Sequence, residues 1–415
     1  MKISAPTRCH VDAAAQTRIP LAIWALGVVS LLMDISSELI HSLLPVFLVN
    51  SLGVSAFTVG WIEGAGESLA LLIKVFSGPL SDWLGQRKGL AVVGYGLGAL
   101  SKPLFAVATN ASLVLSARLL DRAGKGLRGA PRDALVADLA PPAIRGAAYG
   151  LRQALDTVGA FTGPLLAVAL MWRWANDVRA VFWVAVVPGL LSVAVLLFGV
   201  QEPQPSKPAQ RVNPLRWREL KGLGEGYGWV AAVGAVFTLA RFSEAFLILR
   251  ASQAGLPSAA VPLVLVAMNV VYALSAYPLG SLSDTVSHTN LLAVGLSVLV
   301  VADLVLATAG ESWWWVFLGV GLWGLHLGAT QGLLAALVAD AAPAEWRGTA
   351  FGVFNLLSGL AMLFASALAG WLWDRFGPEF TFSAGALFGG LALVGITRLP
   401  AVRLGRTSVP QVERD

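Results

Sequence analysis

Two carboxylates and an imidazole interrupt the otherwise apolar stretch LLMDISSELIHSLLP (residues 31–45). Asp34, Glu38 and His41 recur at i, i+4 and i+7, a spacing that stacks them on one stripe of a helix, so all three meet the same surroundings. A carboxyl group in a cavity gains or loses its proton as a charged partner leaves or arrives, which makes Asp34 and Glu38 candidates for proton exchange. The competing reading is a static ion-pair network; for His41 it is a hydrogen-bonded side chain near the outer end of the helix. A second constellation, ARLLDRAGKGLRGAPRDALVAD (117–138), carries Arg118, Arg122, Lys125 and Arg132 at helical spacing, with Asp121, Arg128 and Asp133 beside them. Cations at that density bind an anion or neutralise the carboxylates of a facing helix.

The elements that position these charges are membrane helices. Of 415 residues, 56% are hydrophobic and 13% charged, and the mean hydropathy is +0.72; a soluble domain carries about 25% charged residues. Runs of the ~20 apolar residues needed to cross ~30 Å of hydrocarbon recur twelve times. They lie near 21–49, 57–80, 89–108, 112–137, 147–171, 179–199, 229–250, 257–281, 290–309, 313–338, 349–372 and 380–398. An unpaired charge at the bilayer centre costs on the order of 3 kcal/mol, so the fourth run must turn its arginines toward water, a counter-charge or a bound anion. The expected fold is an all-α integral membrane protein with twelve transmembrane helices.

Lysines and arginines fall mainly on the side of the N-terminus, including Lys2, Arg8, Arg87, Lys88, Arg145, Lys207, Arg347 and Arg398; the opposite loops offer Arg173, Arg179, Arg250 and Arg375. Positive loops stay cytoplasmic, which predicts a multi-pass plasma-membrane protein, bacterial inner membrane by type, with both termini inside. The basic balance (pI near 9.6) then reflects topology and attraction to lipid, and no basic, aromatic-interleaved patch suggests a nucleic-acid partner. The polar N-terminal tail lacks a cleavage site, so no signal peptide is expected. Cys9 stands alone, no His/Cys cluster has metal-ligand spacing, and no phosphate-cradling loop is present, so neither a cofactor, a metal nor an enzymatic or ATP-driven activity is expected.

The chain repeats itself at a constant spacing. GPLSD (78–82) returns as GSLSD (280–284), and VADLAPPAIRGAAYG (136–150) as VADAAPAEWRGTAFG (338–352), both 202 residues on. Two motifs sharing one offset indicate a duplicated six-helix unit. The expected organisation is a tail (1–20), a six-helix bundle (21–200), a Pro-rich, charged linker (201–228), a second bundle (229–398) and a tail (399–415). Two pseudo-symmetric bundles suit a transporter whose substrate sits between halves that rock.

At these residues the chain resembles the major facilitator superfamily over essentially its whole length. GPLSDWLGQRKG matches that family's loop between spans two and three through Gly78, Leu80, Asp82, Gly85, Arg87 and Lys88, while Trp83 and Gln86 replace usual basic residues. A Gly-x-Leu-x-Asp turn places Asp82 to accept from backbone N–H groups at a helix start, gating the halves. Asp138 and Arg145, with their repeats Asp340 and Arg347, join it as gating candidates, as does Asp284, the repeat of Asp82, which reads more simply as a helix cap. GAFTGPLLA resembles the family's antiporter motif through Gly159, Gly163 and Pro164, with Ala167 and Val168 in place of the closing glycines; a plain close-packed helix seam is the alternative.

The resemblance implies that spans one, four, seven and ten line a central cavity and that span four carries an essential arginine, either Arg118 or Arg122. Cavity candidates are therefore His41, Arg118, Arg122, Lys125, Arg241, Glu244, Trp323 and His326, with Gln331, Asn269 and Tyr272 as weaker leads. Glu63, Glu67 and Lys74 on span two invite salt bridges, and Lys102 stands isolated or pairs with one of those glutamates. The expected function is secondary export of a small amphiphilic or anionic molecule in exchange for protons, by a monomer in the lipid bilayer. An anion importer or facilitator, or a lipid flippase on the same fold, is the alternative.

Overall fold

The computed structural model describes residues 19–202, 224–282, 286–330, 332–342 and 346–398. Both expected tails up to those limits, most of the linker, Asp284 and Gln331 lie outside the described residues.

Twelve crossings follow one another. The first runs Leu21–His41 and continues as Leu44–Val46 and a π-helical turn Phe47–Ser51; the second to sixth are Ala56–Leu84, Arg87–Ala106, Ala111–Leu139, Arg145–Arg173 and Val178–Gly199. The seventh is Gly224–Ala240 plus Ala245–Gln253, the eighth Leu263–Leu282, the ninth His288–Thr308, and the tenth Trp313–Thr330 plus Leu333–Ala341. Arg347–Phe376 and Pro378–Thr397 complete the set. Among the described residues eleven crossings are long and apolar enough to span a membrane; the other is the fourth, long enough at 29 residues but crowded with charge. An even number of crossings brings the chain back to the face on which it starts, the near face; the opposite one is the far face.

The duplication is visible in geometry. Arg145 Nε donates to the Ala137 carbonyl at 3.2 Å, and Arg347 Nε donates to the Ala339 carbonyl at the same 3.2 Å. The halves meet chiefly where the second span packs on the eleventh and the fifth on the eighth. On the first of these seams a Cβ at Gly60 would overlap the Ser366 carbonyl, and one at Gly370 would overlap that of Ala56. Small residues thus let two backbones touch, as membrane helices require when burial from water no longer drives association.

Three cavity-side crossings are broken. Pro45 lacks the N–H that would bond the His41 carbonyl and its ring crowds that carbonyl, so the first helix stops at His41. Gly332, at φ +82°, interrupts the tenth. The seventh, expected as one helix, opens at residues 241–244, where Ser243 donates its N–H to Ser366 Oγ (3.2 Å) and its own Oγ accepts from Ala245 N (3.2 Å).

Candidate functional site

Two connected chambers lie between the halves. The deep one, about 270 Å³, is lined by Glu38, His41, Glu67, Arg122, Lys125, Arg241, Glu244, Asn269 and Trp323 among others. The second, about 500 Å³, extends toward the near face past Asp34, Lys74, Arg128, Arg132, Asp133, Asp156 and Tyr272, and shares Glu38, Glu67 and Lys125 with the first. Toward the far face the halves are closed by the glycine seam and by Asp374. Its two carboxylate oxygens accept from Ala56 N (2.9 Å) and Phe57 N (2.8 Å), at the positive end of the second helix. Among the described residues no side-chain hydrogen bond or ion pair joins the halves at the near face.

The stripe on the first span faces these chambers. Asp34 makes no ion pair among the described residues, and Glu38 reaches both chambers. His41 lies buried between Glu38 (3.6 Å) and Glu63 (3.7 Å), inside the bundle rather than at a membrane surface. The fifth span explains how the stripe is presented. A Cβ on Gly159 would stand 2.9 Å from Asp34 Cβ, and one on Gly163 2.7 Å from Glu38 Cβ. Both glycines therefore serve as the floor under the two carboxylates, with Pro164 accommodated inside the same helix.

The single charged face expected on the fourth span divides three ways. Arg118 pairs with Glu63 and Arg122 with Glu67 (3.1 Å), both on the second span. Arg128 lies over the Tyr95 ring, 4.8 Å from its centroid, and Arg132 donates to Ser30 Oγ at 3.1 Å. Lys125 alone of the set is exposed in the chambers, and it makes no ion pair among the described residues. Arg122 lines the deep chamber, whereas Arg118 is 2% exposed behind it. Lys102 pairs with neither glutamate: it donates to Asp121 (2.7 Å) and Ser37 (3.0 Å).

In the second half, Arg241 and Glu244 bracket the break in the seventh span and enter the deep chamber without pairing to each other; the Arg241 guanidinium lies over Phe237. Trp323 joins them. His326 does not, because its Nδ1 meets the Gly295 carbonyl at 2.7 Å inside the bundle.

The near-face loops also differ from expectation. The second helix runs through Gly78 and Pro79 to Leu84 and ends at Gly85, in the left-handed conformation at φ +63°. Asp82 therefore sits in its last turn, 3.4 Å from Arg87 Nη2, rather than at a helix start. The carboxylate that does cap a start there is Glu202, which accepts from Arg87 N and Lys88 N at 2.8 Å each. Arg87 also pairs with Asp138 (2.5 Å), Lys88 Nζ donates to the Leu197 carbonyl (2.8 Å), and Asp340 meets His288 (3.6 Å).

Sequence reasoning overlooked Asp374, Glu202, the Gly60/Gly370 seam and the fully buried Asp303. The seam had a readable signal in the spacing G-x-x-x-G (60–64) and S-x-x-x-G (366–370); the two capping carboxylates had none.

A profile of the Major Facilitator Superfamily matches residues 26–366. An uncharacterised MFS-type transporter of Methanocaldococcus jannaschii is 31% identical over 386 residues, covering 90% of this chain and 94% of that protein. A multidrug resistance protein, MdtH, of Photorhabdus laumondii is 30% identical over 154 residues, 37% of each chain. The crystal structure of a peptide transporter, POT, in complex with sulfate superposes with a TM-score of 0.77 at 16% identity, covering 93% of this chain and 95% of that one.

Proposed function

From the membership of this chain in the major facilitator superfamily, and hence among membrane transporters, we propose that it exports a small amphiphilic or anionic molecule in exchange for protons. Asp34 is the coupling carboxylate and Glu38 its neighbour along the path. The observation that carries this reading is a carboxylate without an ion-pair partner among the described residues, Asp34, on the wall of a chamber that Glu38 connects to the deep one. A group so placed loads a proton from one side and delivers it to the other when the halves rock. The multidrug resistance relative supports the outward direction. The near face is the cytoplasmic face of a bacterial inner membrane, so the chambers face the cytoplasm, the glycine seam closes the outside, and the Asp82 loop gates the inside.

The test is flux in proteoliposomes under an imposed pH gradient. Asp34→Asn should abolish gradient-driven flux while sparing substrate binding and downhill exchange, since those steps need no change of protonation; full flux by both Asp34→Asn and Glu38→Gln overturns the coupling assignment. Orientation is read separately, in a chain with Cys9 replaced. A membrane-impermeant thiol reagent added to intact cells should label Thr109→Cys at the far face and spare Gln86→Cys at the near face.

A further inference from the structure

Most charges around the deep chamber already have partners: Arg122 is held by Glu67, and His41 lies between Glu38 and Glu63. Three do not. Lys125 on the fourth span, Arg241 and Glu244 line the same chamber, and none makes an ion pair among the described residues. They come from both halves. Lys125 belongs to the first, while Arg241 and Glu244 belong to the second and flank its unwound turn, where the backbone is already bonded to Ser366 and Ser243 rather than to these side chains. Trp323 and Phe242, whose rings pack at 5.6 Å, supply an apolar wall, and Asn269 a neutral polar one.

Charge of both signs without counter-ions in one chamber is complemented by a ligand carrying both signs, because a ligand with one charge leaves the opposite group without a counter-charge. A volume of about 270 Å³ is below the ~300–1,000 Å³ of sites for drug-sized ligands, which points to a molecule near the size of an amino acid. We propose that the deep chamber takes a small zwitterion on an aromatic or apolar body, its acid group held between Lys125 and Arg241 and its ammonium at Glu244. The acid group then ties one half to the other, coupling occupancy to the approach of the halves. This assignment rests on the reading of the chambers as the transport site and narrows the substrate class for it.

Isothermal titration of the purified full chain in detergent tests it. The zwitterions are phenylalanine, tryptophan and phenylalanylglycine, each compared with its amide, which keeps only the cation, and its N-acetyl derivative, which keeps only the anion. At least one zwitterion should bind tenfold or more tightly than both of its derivatives. Glu244→Gln should erase the preference over the N-acetyl compound, and Lys125→Gln the preference over the amide, in variants whose melting temperature matches the parent. No zwitterion binding, or a preference that survives both substitutions, overturns the assignment. Binding without flux in proteoliposomes would keep the substrate class and remove the transport reading, whereas flux of the anion or cation without zwitterion preference would do the reverse.

Discussion

The two halves share a backbone plan and the arginine-to-carbonyl bond at Arg145 and Arg347, yet they divide the chemistry unequally. At the 202-residue spacing, Arg118, Asp121, Arg122, Lys125 and Arg128 of the fourth span become Val320, Trp323, Gly324, Leu327 and Thr330 of the tenth; Glu63 and Glu67 become Leu265 and Asn269. The first half is a network of buried ions and the second an aromatic and aliphatic wall with two free charges at a helix break. The two copies therefore share interhelical geometry while differing in charge, which helix packing in lipid permits because small and apolar residues suffice for it. The partner-half contacts are unequal too. Asp374, near the end of the eleventh span, caps the second, whereas the equivalent position in the first half is Trp172, which is 70% exposed.

If this division is real, equivalent substitutions must have unequal effects. The largest difference belongs to the buried pair. Arg118→Met takes the guanidinium from the buried Glu63, leaving it only His41 at 3.7 Å, and should destabilise the protein by about 3–5 kcal/mol; Glu63→Gln in the same chain should restore most of the melting temperature. Val320→Ala, which orphans nothing, should cost less. Equal losses at Arg118 and Val320 would break the comparison.

The far-face cap comes next. Asp374→Ala removes two charge-assisted bonds to a helix start, worth about 1–2 kcal/mol. It should raise by about tenfold, the equivalent of ~1.4 kcal/mol, the rate at which a cysteine at Ser243 in the deep chamber is labelled from the far side in a Cys9-replaced chain. Trp172→Ala should leave that rate unchanged.

A smaller effect, of opposite sign, is expected at Asp303. Both carboxylate oxygens lack a hydrogen-bond partner among the described residues, and the side chain abuts Gly385 in the core of the second half. Removing an unpartnered buried polar group relieves its desolvation, so Asp303→Leu should hold or raise the melting temperature; a large loss would mean that the second half also depends on a buried charge. The smallest change tests the near-face pairs. Arg87–Asp138 has a counterpart in His288–Asp340, in which Asp340 is the repeat of Asp138 but His288 stands one residue before the repeat of Arg87, Thr289, and brings an imidazole instead of a permanent cation. His288→Arg should stabilise by less than ~1 kcal/mol, as surface pairs do, and Arg87→His should cost a similar amount.

By itself the sequence determined the membrane class, the number of crossings, the duplication and the concentration of charge in the first half. Each of these is a local or periodic property: hydropathy over about 20 residues, a repeated motif, a count of ions per span. The break in the first span was equally local, set by Pro45. Only the tertiary structure decided which charge meets which. Arg118 and Glu63 are 55 residues apart, Lys102 turned out to belong to Asp121, and Asp374 reaches Ala56 across 318 residues. A helix spacing says that residues share a face but not what that face looks at. The fourth span touches the second, the third and the first at once, so its one stripe splits among three neighbours. The break at Arg241–Glu244 was hidden for the same reason. No proline or glycine marks it, and it is held open by Ser366, a residue of another span whose proximity exists only once the bundle has assembled.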